Sequence, residues 1–231
     1  MTSPQVTILG IGNVLWADEG FGVRTVETLN RRYRFKGHVA MMDGGTQGIY
    51  LVQHVQAADI LLVFDAIDYG MPPGTLKLIE GDDVPKFMGA KKMSLHQTGF
   101  QEVLAMAELL GDYPSHLLLV GVQPEQLEDY GGSLRPSVKA QIEPAIEAAL
   151  NWLAGLGVEF EKRDQPLSDD EKLSPDPLSM DAYETGRPDE QAALRLGDPR
   201  VLLNDQVRFE PKQLIEPSQR MSVNVDARRK D

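Results

Sequence analysis

Over the first 160 residues, short apolar runs alternate with longer stretches of helical period. That alternation predicts βα units wrapped around a mostly parallel sheet. Residues 6–9 read as a first strand, after which Val23, Val26, Leu29 and Tyr33 recur at helical spacing. Residues 39–42 read as a second strand that ends at Asp43. The unbroken run from Ile60 to Phe64 predicts a strand buried on both faces, as a central parallel strand is, and it stops at Asp65. Residues 76–80 follow Pro72, Pro73 and Gly74 and read as an edge strand; residues 117–122 read as the last strand. Helices are expected over residues 98–110 and from Pro136 onward. Val138, Ile142, Ile146, Ala149, Leu150 and Leu153 line one face of the second, and Pro144 should bend or interrupt it.

Near residue 160 the pattern changes. Residues 1–160 hold 19 of the 21 glycines and all four histidines, whereas residues 161–231 hold 28 charged residues, seven prolines and only two aromatics, Tyr183 and Phe209. The expected organisation is a domain over residues 1–160 and a charged, proline-containing extension over 161–231, largely irregular or disordered and dispensable for folding. A short helix near residues 189–196 and an apolar patch at 201–203 are the extension's local features.

Composition narrows the chemistry. A net charge of −12 repels a phosphate backbone, which argues against a nucleic-acid partner. The cluster Arg31, Arg32, Arg34 and Lys36 falls where the first helix should end, where cations complement the helix dipole. The absence of cysteine removes a thiol nucleophile and any thiolate metal site built by this chain alone, leaving oxygen and imidazole as ligands. No apolar run reaches the length of a spanning helix and no basic region precedes the N-terminal apolar stretch, so a cytoplasmic protein without membrane insertion is expected.

Ligands of open parallel sheets gather beyond the carboxyl ends of the strands. Three such segments each offer a ligand atom: residues 10–20 with Glu19, residues 65–68 with Asp65, and residues 94–97 with His96. Glu19, taken alone, reads first as a solvated first-turn acid favouring the helix dipole, with a functional role as the alternative. Asp65, at the end of a buried strand, either caps the following turn or meets a cation. His96 is either a polar loop residue beside the Ser94–Gln97 capping pattern or an imidazole that a helix N-terminus keeps neutral, the form that binds metal. Gly10-x-Gly12 lacks the third glycine of a dinucleotide fingerprint and has Asp18 and Glu19 where phosphates would sit, which disfavours a nucleotide-binding oxidoreductase. His-Glu-x-x-His and Gly-x-Ser-x-Gly motifs are missing. Asp43-Gly44-Gly45-Thr46 reads on its own as a glycine-permitted turn.

At these residues the chain resembles the hydrogenase maturation proteases, endopeptidases that trim the C-terminal extension from the large subunit of nickel–iron hydrogenases. The likeness rests on ILGIGNVLWADEGFGVR at 8–24, MDGGTQG at 42–48, LLVFDAIDYG at 61–70, MSLHQTGF at 93–100 and LLLVGVQPE at 117–125. It implies an α/β fold of three layers, α/β/α, with a twisted, mostly parallel five-stranded sheet. It also implies that Glu19, Asp65 and His96 meet nickel, with Asp65 or Glu19 handling a proton in catalysis, by metal-assisted or by aspartic-type chemistry. Asp43, Gly44, Gly45 and Thr46 would position the substrate peptide. The nickel would arrive in the large-subunit precursor and be weakly held or absent in the free enzyme, so that cleavage depends on metal insertion. A non-enzymatic nickel-dependent docking protein or chaperone for the precursor would share every one of these ligands.

Overall fold

The computed structural model describes residues 3–88 and 95–186 of the chain, without the side chains of 86–88, 95–98 and 169. Five strands form the main sheet: β1 (Gln5–Ile11), β3 (His38–Gly45), β4 (Ile60–Ala66), β5 (Leu76–Glu80) and β6 (His116–Val122), in the order β3-β1-β4-β6-β5. All neighbours are parallel except β5, which pairs antiparallel with β6 at the edge. Every residue of β4 is buried, as its unbroken apolar run requires.

Alternation along these strands makes two cores. Ile8, Ile60, Leu62, Phe64, Leu118 and Val120 meet α1 (Phe21–Arg32) and α6 (Ile142–Gly155) on one face. Leu9, Leu61, Val63, Leu117 and Leu119 face the side covered by α2 (Val52–Gln56), α3 (Asp83–Met88) and α4 (Leu95–Leu110). The fold is a three-layer α/β/α arrangement.

The helix expected from Pro136 is broken in two. The four-residue α5 (Pro136–Lys139) ends before Ala140, and α6 restarts at Ile142 with Pro144 in its first turn. A proline in a helix interior clashes with the carbonyl four residues back, here that of Ala140, so the interruption falls just there. The apolar face is as expected, with all six of its residues buried.

Tyr33 does not continue α1. It opens β2 (Tyr33–Phe35), which pairs antiparallel with β7 (Phe160–Lys162). The reason is aromatic packing: the Phe160 ring lies 5.9 Å from that of Tyr33 and 5.8 Å from that of Phe35. Of the basic cluster, Arg31 and Arg32 occupy the last turn of α1, where cations were expected, and Arg32 also pairs with Glu143. Lys36 pairs with Glu159 at 3.1 Å and Arg34 with Glu171 at 3.9 Å.

Packed structure continues past residue 160. Arg163 donates to the backbone carbonyls of Asn30 (2.9 Å) and Tyr33 (3.1 Å), Leu173 and Met180 pack on the α1/α6 core, and α7 (Met180–Gly186) follows. The expected helix at 189–196 and apolar patch at 201–203 lie outside the described residues. Among the described residues no helix is long and apolar enough to cross a membrane.

Candidate active site

From β1 the chain crosses to β3 on one side, then returns to β4 on the other. The carboxyl ends of β1 and β4 therefore form the topological switch point, the usual ligand crevice of such a sheet. Asp65 lies at this end of β4, fully buried, with its Oδ1 accepting the Ala66 amide at 2.8 Å. Alternation along β4 directs it to the α4 side of the sheet.

Glu19 sits in a 3-10 turn, Ala17–Gly20, that follows β1 and packs against the end of β4. Two close approaches hold this turn in place. An ideal Cβ at Gly12 would fall 1.8 Å from the Glu19 carbonyl oxygen, and one at Gly22 would fall 2.2 Å from that of Phe64. Glycine is required at both because backbone meets backbone there. The expected glycine-rich loop is thus filled by the chain itself and offers no phosphate cradle.

His96 is the second residue of α4, and its side chain and Ser94 lie outside the described residues. Gly99, one turn on, approaches Gly48 to 3.5 Å as measured from an ideal Cβ. The start of α4 therefore reaches the same strand-end face of the molecule. Among the described residues no three His, Asp or Glu side chains form a metal cluster; the His96 ring is not among them.

The Asp43-Gly44-Gly45-Thr46 block ends β3. Asp43 pairs in register with Gly10, and its side chain turns to the α1 side, where Glu27 and Arg24 are its charged neighbours. Burial, and then the charge of Glu27, push its carboxyl above the usual range. Asp43 and Asp65 thus point to opposite faces of the sheet. Gly45 accepts the Gly12 amide at 3.0 Å, which ties this block to the loop before Glu19 through backbone.

The arrangement places two acidic segments, at the ends of adjacent strands, and the start of one helix at the same end of the sheet. A family model for hydrogenase maturation proteases matches residues 23–152. The chain belongs to that family. This hydrogenase maturation protease is similar to the hydrogenase expression/formation protein HoxM of Azotobacter vinelandii, with 62% identity over 94% of this chain and 99% of the relative. It is likewise 60% identical to the hydrogenase expression/formation protein HupD of Thiocapsa roseopersicina, over 87% of this chain and 91% of the relative. The solved hydrogenase maturating endopeptidase HybD of Escherichia coli superimposes with a TM-score of 0.65 at 41% identity, covering 69% of this chain and 98% of its own. The enzyme is therefore a hydrolase, an endopeptidase.

Three residues that shape the protease's site were not singled out in the sequence. Asp18, fully buried beside Glu19, accepts the backbone amides of Glu125 (2.9 Å), Gln126 (2.8 Å) and Arg135 (2.7 Å). Gln123, just past β6, accepts the amides of Tyr69 (2.7 Å) and Met71 (3.1 Å) and donates to Asp68 Oδ1 (3.0 Å). Tyr69 lies beside Asp65, and burial, then the Asp65 charge, push its phenol further above its ordinary value. The only sequence signal was that Asp18, Tyr69 and Gln123 all fall within the quoted family blocks.

Proposed function

We propose that this endopeptidase removes the C-terminal extension of a [NiFe] hydrogenase large-subunit precursor, and that Asp65, Glu19 and His96 meet the nickel already inserted in that substrate. The observation that carries the reading is Asp65: a fully buried carboxylate at the switch point, with its plane set by the Ala66 amide. Burial penalises a negative charge, and a divalent cation offsets that penalty more than a neutral partner does. Carboxylate oxygens and one imidazole suit a divalent ion of nickel's rank and leave coordination positions for the substrate. With no cysteine in the chain, thiolate ligands must come from the precursor.

In this reading nickel in the precursor is the recognition element, and a carboxylate of the pair Asp65 and Glu19 handles the proton of the attacking water, an aspartic-type chemistry. In this reading processing takes place in the cytoplasm, on a precursor that already carries its nickel. The Asp43–Thr46 block supports the substrate segment through backbone rather than through the Asp43 carboxylate.

The test is to present the enzyme with precursor loaded with nickel, loaded with zinc, or left metal-free, and to follow the mass of the large subunit. Loss of a C-terminal peptide from the nickel-loaded form alone is expected. Equal trimming of the zinc or metal-free precursor would overturn nickel recognition.

A further inference from the structure

The turn that carries Glu19 is strained and is held from outside. Ala17 adopts a left-handed backbone, φ 40°, which is unfavourable for a residue with a side chain and persists only where neighbours impose it. The neighbours are residues 125 and 126, which bond to Asp18, and one loop, residues 129–135, which bonds to Leu15, Ala17 and Asp18. Gly131 donates its amide to the Leu15 carbonyl (2.7 Å), Gly132 accepts the Ala17 amide (3.1 Å), and the Arg135 amide donates to Asp18 Oδ1 (2.7 Å). Inside the loop, Asp129 accepts from the Arg135 guanidinium at 2.8 Å and its carbonyl accepts the Gly132 amide.

This loop is in turn fastened to the segment beyond residue 160. Glu184, on α7, accepts from the Ser133 hydroxyl at 2.6 Å and from Lys139 Nζ at 2.7 and 2.9 Å. Burial alone would push the Glu184 carboxyl up, but the Lys139 and Ser133 bonds outweigh it and hold it below its ordinary range. α7 and the segment that leads into it are fixed to α1. Arg24 donates to the Leu178 carbonyl and lies 5.7 Å from the Tyr183 ring, and Ser174 bonds to Glu27.

We infer that Glu184 is a positioning residue of the protease: through Ser133 it clamps the 129–135 loop onto the 15–18 turn and so sets the orientation of Glu19. Residues 163–186 then serve catalysis without touching substrate. The inference rests on the proposed role of Glu19.

The test uses full-length protein carrying Glu184→Ala, Glu184→Gln or Ser133→Ala. With nickel-loaded precursor, Glu184→Ala should lower kcat about tenfold with KM within twofold, because orientation and not substrate affinity is lost. Glu184→Gln, which keeps an acceptor for Ser133, should recover most of kcat. In the absence of precursor, amide hydrogen exchange should quicken at Ala17 and Gly131 in Glu184→Ala and Ser133→Ala while the β4 amides keep their protection. Faster exchange across β4 as well, the mark of a general loss of structure, would overturn the inference. Wild-type kcat in Glu184→Ala, or unchanged exchange at Ala17 and Gly131 in both variants, overturns the inference. Should wild-type protein leave the precursor uncut, the protease reading fails by itself, and the exchange measurement still decides whether Glu184 fixes the turn.

Discussion

The hydroxyl of Tyr69 occupies the space that a side chain at position 121 would need: an ideal Cβ on Gly121 would lie 2.2 Å from that oxygen. Gly121 is the register partner of Asp65 on the neighbouring strand, so the phenol is placed on the Asp65 side of the sheet by the absence of a side chain. Lys77 covers the ring at 5.1 Å from its centroid, and Gln123 holds the Tyr69 amide. Gly121→Ala should displace the ring, cost about 1–3 kcal/mol and reduce cleavage. Urea unfolding and cleavage assays on the same preparation check this; a variant as stable and as active as wild type would remove Tyr69 from the site.

Asp18 and Glu19 are adjacent acids with different duties. Asp18→Ala would leave the amides of Glu125, Gln126 and Arg135 without their acceptor and should destabilise the protein by roughly 3 kcal/mol. Glu19→Gln should leave unfolding close to wild type while removing cleavage. Denaturant midpoints for the two variants separate the roles, and similar losses in both would contradict the assignment.

Two carboxyls should act on stability with opposite signs as pH changes. Glu171 is held down to about 2, against an ordinary 4.5, by hydrogen bonds from Arg163 and Ser168. Its contribution is complete above pH 4.5 and is lost as pH falls toward 2. Asp43 is pushed up by burial and by Glu27, so its proton is held more tightly in the folded state; stability falls as pH rises from the ordinary carboxylate value through the raised one and stays lower above it. Glu171→Gln should therefore flatten the acid limb of the stability profile, whereas Asp43→Asn should raise stability at neutral pH. Unfolding free energies measured from pH 2 to 8 for the three proteins check both signs.

The strand pattern was readable because burial on both faces leaves an apolar run with no alternation, as in β4, and because Pro72 and Pro73 mark an edge. The ribbon of β2 and β7 was not readable. Tyr33 falls in helical phase with Leu29, and its real partner lies more than a hundred residues away at Phe160. The same holds at the site. Asp65 stood out because a carboxylate ending a buried run is costly. The division of labour between Asp18 and Glu19 depends on amides at 125, 126 and 135, and the direction of Asp43 on its register with Gly10, neither of which leaves a local trace.

The most direct test of the site is the mass of the large subunit after nickel-loaded precursor is incubated with wild-type, Asp65→Asn, Glu19→Gln or His96→Ala protein, each first shown to be folded. Wild type should remove a short C-terminal peptide and the three variants should leave the precursor intact. An Asp65→Asn protein that trims at the wild-type rate, or a wild-type protein that binds the precursor and leaves its mass unchanged, would contradict it.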